Sequence, residues 1–185
     1  MQAEAISILL SLALLMIYLY FGNVPLPDTS VDAVDYILRT FYHADLLHLL
    51  SNMLVLARVS VLGELLTPGK LIQLLLFLTI TSSIFLLAID NLFGTTRTIT
   101  VGFSGVLFGL IVVKNVLLGA DITTVLTDLA LLILPGILDP QISFLGHLSG
   151  IIAGFIYLFI FERDAAHKCI GIAPTTAPLL TIGNE

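Results

Sequence analysis

Six apolar runs separated by polar connections constrain this chain more than any other feature of its sequence. They cover about residues 6–22, 44–63, 70–89, 102–118, 122–138 and 142–161. A helix needs roughly 20 apolar residues to cross the hydrocarbon core of a bilayer, with some latitude for tilt. We therefore predict an all-α, polytopic membrane protein in which residues 1–162 form a bundle of six transmembrane helices.

The overall composition favours the same class of protein. Of the 185 residues, 58% are hydrophobic and 11% are charged, and a soluble domain of this length could not bury so many apolar side chains. The net charge of −6 comes without a basic cluster, so we expect the lipid bilayer as a partner and no nucleic acid. The single cysteine, Cys169, excludes an intramolecular disulfide and an all-cysteine zinc site.

The segments between and after the runs carry further predictions. Residues 31–42 are expected to form a short amphipathic helix at the membrane interface. Pro68 and Gly69 are expected to lie in a turn, and Pro135 with Gly136 to break the last turn of the fifth run. Residues 163–185 are interpreted as a polar C-terminal tail.

The distribution of positive charge predicts the orientation. With six spans both termini lie on one side, and basic residues on that side outnumber the others by four to two, which favours termini in the cytoplasm. The four are Lys70, Lys114, Arg163 and Lys168, and the two are Arg39 and Arg97. Because no transit peptide or additional domain is recognisable, we expect a prokaryotic inner membrane. The sequence does not specify the oligomeric state.

Four polar residues lie at one predicted depth in three different spans. His48 and Asn52 lie in the first turns of the second run. Ser104 opens the fourth run, and His147 lies in the second turn of the sixth. At roughly 1.5 Å per residue, all four fall within the outer third of the membrane. Polar groups inside a bilayer are costly and usually functional, so this convergence predicts a site.

The residue types at this depth fit acyl transfer by a Ser–His dyad. Ser104 would be the nucleophile and His147 the general base that takes its proton. No carboxylate lies near His147 in the sequence to complete a triad, and the chemistry needs no metal or cofactor. His48, Asn52 and the backbone N–H of Ser104 would donate hydrogen bonds to the oxyanion. Phe108, one helical turn after Ser104, would stack on the imidazole ring.

Glycines at helical spacing predict that the fourth and sixth helices touch backbone to backbone. Small residues four positions apart let two membrane helices approach closely. Such a contact would bring Ser104 to His147. The glycines are Gly102, Gly105 and Gly109 in the fourth run and Gly146, Gly150 and Gly154 in the sixth.

Each signal has a simpler interpretation when it is taken alone. Gly-x-Ser-Gly occurs by chance, and a buried serine often bonds a carbonyl of its own helix. His48 and Asn52 could join two helices, or with His147 could line a channel or hold a metal, although asparagine is a poor zinc ligand. Asp128 lies in the fifth run. It is expected either to bond a neighbouring helix or to ease the outward movement of the helix that carries it. Joint occurrence at one depth favours the catalytic interpretation.

Three segments, in order, resemble the signature motifs of the rhomboid family of intramembrane serine proteases. They are HADLLHLLSNM (43–53), GFSGVLFG (102–109) and GHLSGIIAG (146–154). The resemblance covers residues 39–161 and implies a six-helix core with a water-filled cavity open to the outer face. It implies Ser104 as nucleophile, His147 as base, and His48, Asn52 and the Ser104 amide around the oxyanion. It also implies that the fifth span is a lateral gate and that the substrates are other transmembrane proteins.

The resemblance leaves one alternative open and includes departures. An inactive rhomboid-like protein would bind or retain membrane clients, although such proteins are expected to lack the serine or the histidine. The chain has no tryptophan, so the Trp-Arg pair common in the family's first loop is absent and only Arg39 remains there. His43 and Asp45, just before the second span, are expected to cap that helix.

Overall fold

The computed structural model describes residues 2–21, 32–93, 100–138 and 143–172, and the regular structure in those ranges is entirely α-helical. The predicted all-α class is therefore confirmed for the part of the chain that is described. Its helices are α1 (Gln2–Phe21), α2 (Ala33–Arg39), α3 (Leu46–Val59), α4 (Leu62–Leu65), α5 (Pro68–Phe93), α6 (Ser104–Leu117), α7 (Ile122–Leu138), α8 (Phe144–Phe161) and α9 (Arg163–Cys169).

Helices coincide with all six apolar runs, and α3 and α4 together occupy the second. By length and composition, three stretches of the described residues can cross a bilayer: Leu46–Leu65, Pro68–Leu92 and Phe144–Phe161. The other apolar stretches are shorter: Ala5–Phe21, Ser104–Leu117 and Ile122–Leu134. The number of spans, six, stays a prediction.

Large apolar side chains on the outside of the bundle identify its surroundings. Exposed examples are Ile8 and Leu12 on α1, Leu76 on α5 and Leu131 on α7. Soluble monomers rarely expose contiguous apolar surface of this kind, whereas lipid tails accept it without cost. The chain is a membrane protein, as its composition predicts.

Two proline-containing segments differ from their predicted structure. Pro68 and Gly69, predicted as a turn, belong to the first turn of α5. Proline is well accommodated there because the N–H that it lacks would have no acceptor within the helix. The predicted break at Pro135 and Gly136 is wrong, since α7 continues through Leu138. Membrane helices tolerate both residue types better than helices in water do.

Two segments outside the apolar runs differ in extent from the prediction: the helix expected within residues 31–42 is shorter, and the tail expected from residue 163 begins with regular structure. The expected helix within residues 31–42 is confirmed as α2, which spans Ala33–Arg39. The tail predicted from residue 163 begins with a helix, α9, because Ala166 and Cys169 are apolar enough to be buried against the bundle. Residues 173–185 of that predicted tail lie outside the described residues.

Side-chain caps determine where two of the site-bearing helices begin. Asp45 precedes α3 and accepts the backbone N–H of His48 at 2.8 Å, so its predicted capping role is confirmed. Ser143 precedes α8 and accepts the backbone N–H of Gly146 at 3.0 Å. Such caps satisfy amide groups that the first helical turn leaves without acceptors. They fix the register of His48 and His147 relative to the outer ends of their helices.

The helix α6 lies at the centre of the bundle. Every residue from 106 to 113 is buried, and α3, α5 and α8 all pack against it. By contrast, the described side chains of α7 include only two buried ones, Val125 and Leu129. The fold therefore holds α6 and α8 firmly in the interior and α7 loosely at the periphery.

Candidate active site

The helices α6 and α8 meet through their glycines. A Cβ atom on Gly150 would overlap the carbonyl oxygen of Gly105, and one on Gly105 would lie 2.9 Å from the carbonyl oxygen of Gly146. One turn further, a Cβ on Gly154 would lie 2.9 Å from the carbonyl oxygen of Gly109. Only glycine permits backbones to approach this closely, so the predicted helix contact is confirmed. It places the sequence neighbours of Ser104 and His147 against each other.

His147 is held by an aromatic stack. It is buried, and its ring lies on that of Phe108 with centroids 4.2 Å apart and planes 22° from parallel. Within the described residues, Nδ1 of the imidazole is buried and has no hydrogen-bond partner. The ring contact expected from the spacing of Ser104 and Phe108 is thus observed. Its contribution to catalysis stays a prediction.

Ser104 is the first residue of α6 and is half-buried. Its backbone N–H lies ahead of the first intrahelical hydrogen bond and is free to bind an external acceptor. Among the described residues its hydroxyl makes no hydrogen bond, so the structure brings Ser104 and His147 onto facing turns without joining them. Hydrogen bonds between catalytic groups are often long in the unliganded state and tighten when substrate binds.

Gly102 provides the space for His48. Its φ of +113° is a conformation that side chains rarely adopt, and a Cβ there would lie 2.5 Å from Cε1 and 2.6 Å from Nε2 of His48. The imidazole of His48 therefore occupies the position beside the segment that leads into Ser104. The Gly102 N–H donates to the carbonyl oxygen of Arg39 at 3.1 Å, which ties this segment to α2.

Asn52 is buried and has a partner that the sequence did not indicate. Its Nδ2 lies 2.9 Å from Nε2 of His43 and faces Gly102, 3.5 Å from where a Cβ would be. The prediction that His43 caps α3 is wrong, because the imidazole turns inward to Asn52 and Asp45 alone makes the cap. The signal in the sequence was a second histidine in the same segment, five residues before His48.

His43 lies before the second span, and its electrostatic surroundings keep it neutral. Burial, followed by the proximity of His48, lowers the pKa of His43 to about 4. The Phe41 carbonyl and the Asp45 carboxylate act in the opposite direction without reversing the result. The ring therefore carries one proton near neutral pH and can accept a hydrogen bond on its other nitrogen.

A small cavity lies beside Ser104, between α2, α5, α6 and α8. Its volume of about 30 Å³ has room for about two water molecules. Hydroxyl groups of α2, α5 and α8 line much of it, and the glycines of the helix contact line the rest. The lining residues are Tyr36, Arg39, Thr40, Ser82, Ser83, Leu86, Thr100, Gly102, Ser104, Gly105, Val106, Gly146 and Ser149.

Polar contacts hold α2 against α5. The hydroxyl of Tyr36 donates to Oδ2 of Asp90 at 2.8 Å, and the hydroxyls of Thr40 and Ser83 lie 3.1 Å apart. Arg39 lies over the Tyr36 ring, 4.9 Å from its centroid. Burial and the Asp90 carboxylate raise the pKa of Tyr36 to about 12, so the phenol remains a donor at all ordinary pH values.

Asp128 bonds a neighbouring helix, which was one of the two expectations for it. Nδ2 of the buried Asn115 on α6 donates to Oδ2 of Asp128 on α7 at 2.9 Å. The pair lies towards the end of α6 that is remote from Ser104. It therefore belongs to the attachment of α7 and not to the site. Among the described residues, no group of three or more His, Cys, Asp or Glu side chains is arranged to hold a metal ion.

Comparison with known proteins gives a family assignment. Residues 31–164 match the family model of the Rhomboid domain. A protein of Acanthamoeba polyphaga mimivirus, named as a putative rhomboid protein, is 38% identical over 148 residues, which are 80% of this chain and 86% of the viral one. No solved structure gives a significant match.

Two relatives from the plant Arabidopsis thaliana extend the comparison. Rhomboid-like protein 15 is 32% identical over 137 residues, which are 64% of this chain and 34% of the plant protein. The mitochondrial Rhomboid-like protein 14 is 34% identical over 137 residues, which are 65% of this chain and 41% of that protein. This chain thus spans less than half the length of either plant relative. With a family model matched over most of its length, the chain belongs to the rhomboid family of membrane proteins.

Proposed function

We propose that the chain is an intramembrane serine endopeptidase, with Ser104 as nucleophile and His147 as general base. It would hydrolyse peptide bonds in or near the transmembrane segments of other membrane proteins. The observation that carries the proposal is the glycine contact between α6 and α8, with Phe108 stacked on the imidazole at the same level. A packing contact alone does not require a serine and a histidine beside it.

The chemistry follows from the groups at this level. His147 takes the proton of the Ser104 hydroxyl as Oγ attacks the substrate carbonyl, and then gives it to the departing amine. Donors from the Ser104 amide, His48 and Asn52 stabilise the negative oxygen of the intermediate, each contributing about 10²–10³ in rate. A water molecule from the neighbouring cavity then attacks the acyl ester, with His147 again as base, and the bond to Oγ breaks as His147 returns the proton to Ser104. No step needs a metal ion or an organic cofactor.

Substrates and orientation are part of the proposal. The serine and its donors lie at helix ends on one side of the bundle, and a peptide in extended form is required to reach them. Transmembrane proteins whose helices unwind near one end meet this requirement. The charge distribution of the connections supports termini in the cytoplasm. A prokaryotic inner membrane stays a prediction, and the relatives described above are viral and plant proteins.

A second candidate is a rhomboid-like protein that binds membrane clients without cutting them. The observation in its favour is that Ser104 and His147 are not hydrogen-bonded to each other in this structure. Such a protein would use the same surface to retain a transmembrane helix.

Reconstitution in liposomes with a single-span model substrate separates the two candidates. We expect the wild type to cleave the substrate, and Ser104→Ala and His147→Ala each to lower the rate by at least about 10³-fold. Ser60→Ala, at the opposite end of α3, is the matched control and should retain full activity. All variants should unfold at the wild-type temperature. Folded wild-type protein that binds the substrate but never cuts it would favour the client-binding candidate.

A further inference from the structure

His43 and Asn52 are in contact, and the direction in which the Asn52 amide points has a consequence for the proposed reaction. Nδ2 of Asn52 lies 2.9 Å from Nε2 of His43. The same nitrogen also faces Gly102, at 3.5 Å from the position of a Cβ, on the path to Ser104. One amino group therefore faces both the histidine and the site.

An amide has two faces of opposite electrostatic character. The amino group offers two hydrogens, whereas the carbonyl oxygen only accepts. If the side chain of Asn52 were turned by half a rotation, Oδ1 would face the site and would repel a negatively charged oxygen. A neighbour that selects one orientation is therefore needed if Asn52 is to act as a donor.

His43 makes this selection when the single proton of its neutral ring lies on Nδ1, because Nε2 can then only accept. A neutral imidazole with its proton on Nδ1 presents a lone pair on Nε2, which accepts one hydrogen of Nδ2 and leaves the other for the site. The low pKa of His43 supports the neutral ring that this arrangement needs. His48, whose ring lies edge-on to that of His43 with centroids 5.1 Å apart, further disfavours a positive charge on His43.

We propose that His43 is a positioning residue, which accepts a hydrogen bond from Asn52 and thereby directs the remaining amide hydrogen toward the substrate oxyanion. This inference rests on the proposed function and names one more residue that its site requires. His43 touches neither the serine nor the reacting carbonyl, and acts only through Asn52.

A double-mutant cycle tests the proposal with the full chain in liposomes. His43→Phe keeps a ring of similar size but removes the acceptor, and should lower kcat about tenfold with KM changed less than twofold. Asn52→Ala should lower kcat by about 10²–10³. In the Asn52→Ala background, His43→Phe should cost less than a further twofold, because the residue through which it acts is already gone.

Two further variants keep the test decisive if His43→Phe destabilises the fold. His43→Gln places an amide oxygen near the position of Nε2 and should retain at least a third of the wild-type kcat. His167→Gln, on α9 at the opposite end of the bundle, is the matched histidine control and should leave kcat unchanged.

The outcomes separate this role from the proposed function. Multiplicative losses in the double variant, or a kcat for His43→Gln as low as for His43→Phe in folded protein, would overturn the positioning role while leaving the protease intact. A folded wild type without any cleavage would contradict both.

Discussion

The central helix α6 packs against α7 and α8 in very different ways. It meets α8 backbone to backbone, with glycines on both sides and no room for a single additional carbon at Gly150. It meets α7 through a few side chains, chiefly Val125 and Leu129, and the hydrogen bond between Asn115 and Asp128. The helix pair that carries the serine and histidine is thus closely packed, while α7 buries few of its described side chains.

The position of the weak attachment is as informative as its strength. Val125, Asp128 and Leu129 lie in the first half of α7, and from residue 130 to 134 no side chain is buried. Few buried contacts imply a low free energy of local opening. We therefore predict that residues 130–134, on the half of α7 nearer Ser104, separate from the bundle more readily than residues 125–129 do.

The largest expected effect follows from closing the space between α6 and α8. Gly150→Val should destabilise the protein by about 3 kcal/mol, because the new side chain meets backbone atoms that cannot rotate away. Cleavage should be lost at temperatures where the variant is still folded, since the serine and histidine are forced apart. Thermal unfolding and a cleavage assay in liposomes measure the two effects. Gly69→Ala, with no atom within 4 Å of its Cβ position, is the control and should be neutral.

The second-largest effect is expected where α2 is attached to α5. Tyr36→Phe removes the donor to the buried Asp90 carboxylate and should cost about 2 kcal/mol in the free energy of unfolding. Because α2 also accepts the Gly102 N–H through Arg39, we expect a drop in kcat beyond the loss of stability. Thr40→Val, which removes a neutral hydroxyl from the same interface, should cost less. Equal losses for the two variants would contradict the ranking.

Acid should destabilise the protein through the buried His43. Its folded pKa of about 4 lies below the unfolded value, so unfolding takes up a proton as the pH falls. The stability that the neutral ring contributes is complete above about pH 6.5 and is lost progressively as the pH falls towards 4. Unfolding temperatures between pH 7 and 5 should decrease less steeply in His43→Gln than in the wild type. Parallel slopes would show that the ring is not the group responsible.

The smallest effect on stability is expected at the hydrogen bond between α6 and α7. Asp128→Leu removes one interhelical hydrogen bond and should change stability by only about 0.6 kcal/mol. If opening of α7 limits the reaction, cleavage should become faster by about threefold, the rate equivalent of that energy. Asn115→Leu should act in the same direction from the other side of the bond. Unchanged rates for both variants in liposomes and in detergent would exclude a gating role for the pair.

The sequence predicted those parts of the site that regular periodicity encodes. Glycines four residues apart on two runs predicted the contact at Gly105 and Gly150. The spacing of Ser104 and Phe108 predicted the ring stack on His147. Asp45 was recognisable as a cap because capping is a local interaction. These predictions succeeded because each depends on a few neighbouring positions in a helix.

The contacts that were missed join residues far apart in the chain. Tyr36 and Asp90 are 54 positions apart, and nothing local distinguishes Asp90 from an ordinary residue at the end of a span. His43 resembled a capping residue because both roles suit a polar side chain before a helix. The pairing of Asn115 with Asp128 depends on how α6 and α7 are rotated about their axes. Hydrophobic periodicity does not determine that rotation when both helices are apolar on most sides.

Covalent labelling tests the central claim most directly, because it asks whether Ser104 is activated by His147 without requiring a known substrate. The folded protein in liposomes would be treated with a fluorophosphonate, and the adduct located by mass spectrometry. We predict a single adduct, on Ser104, that is lost in His147→Ala and retained in His167→Gln. An unlabelled wild type, an adduct on another serine, or undiminished labelling of His147→Ala would contradict the account.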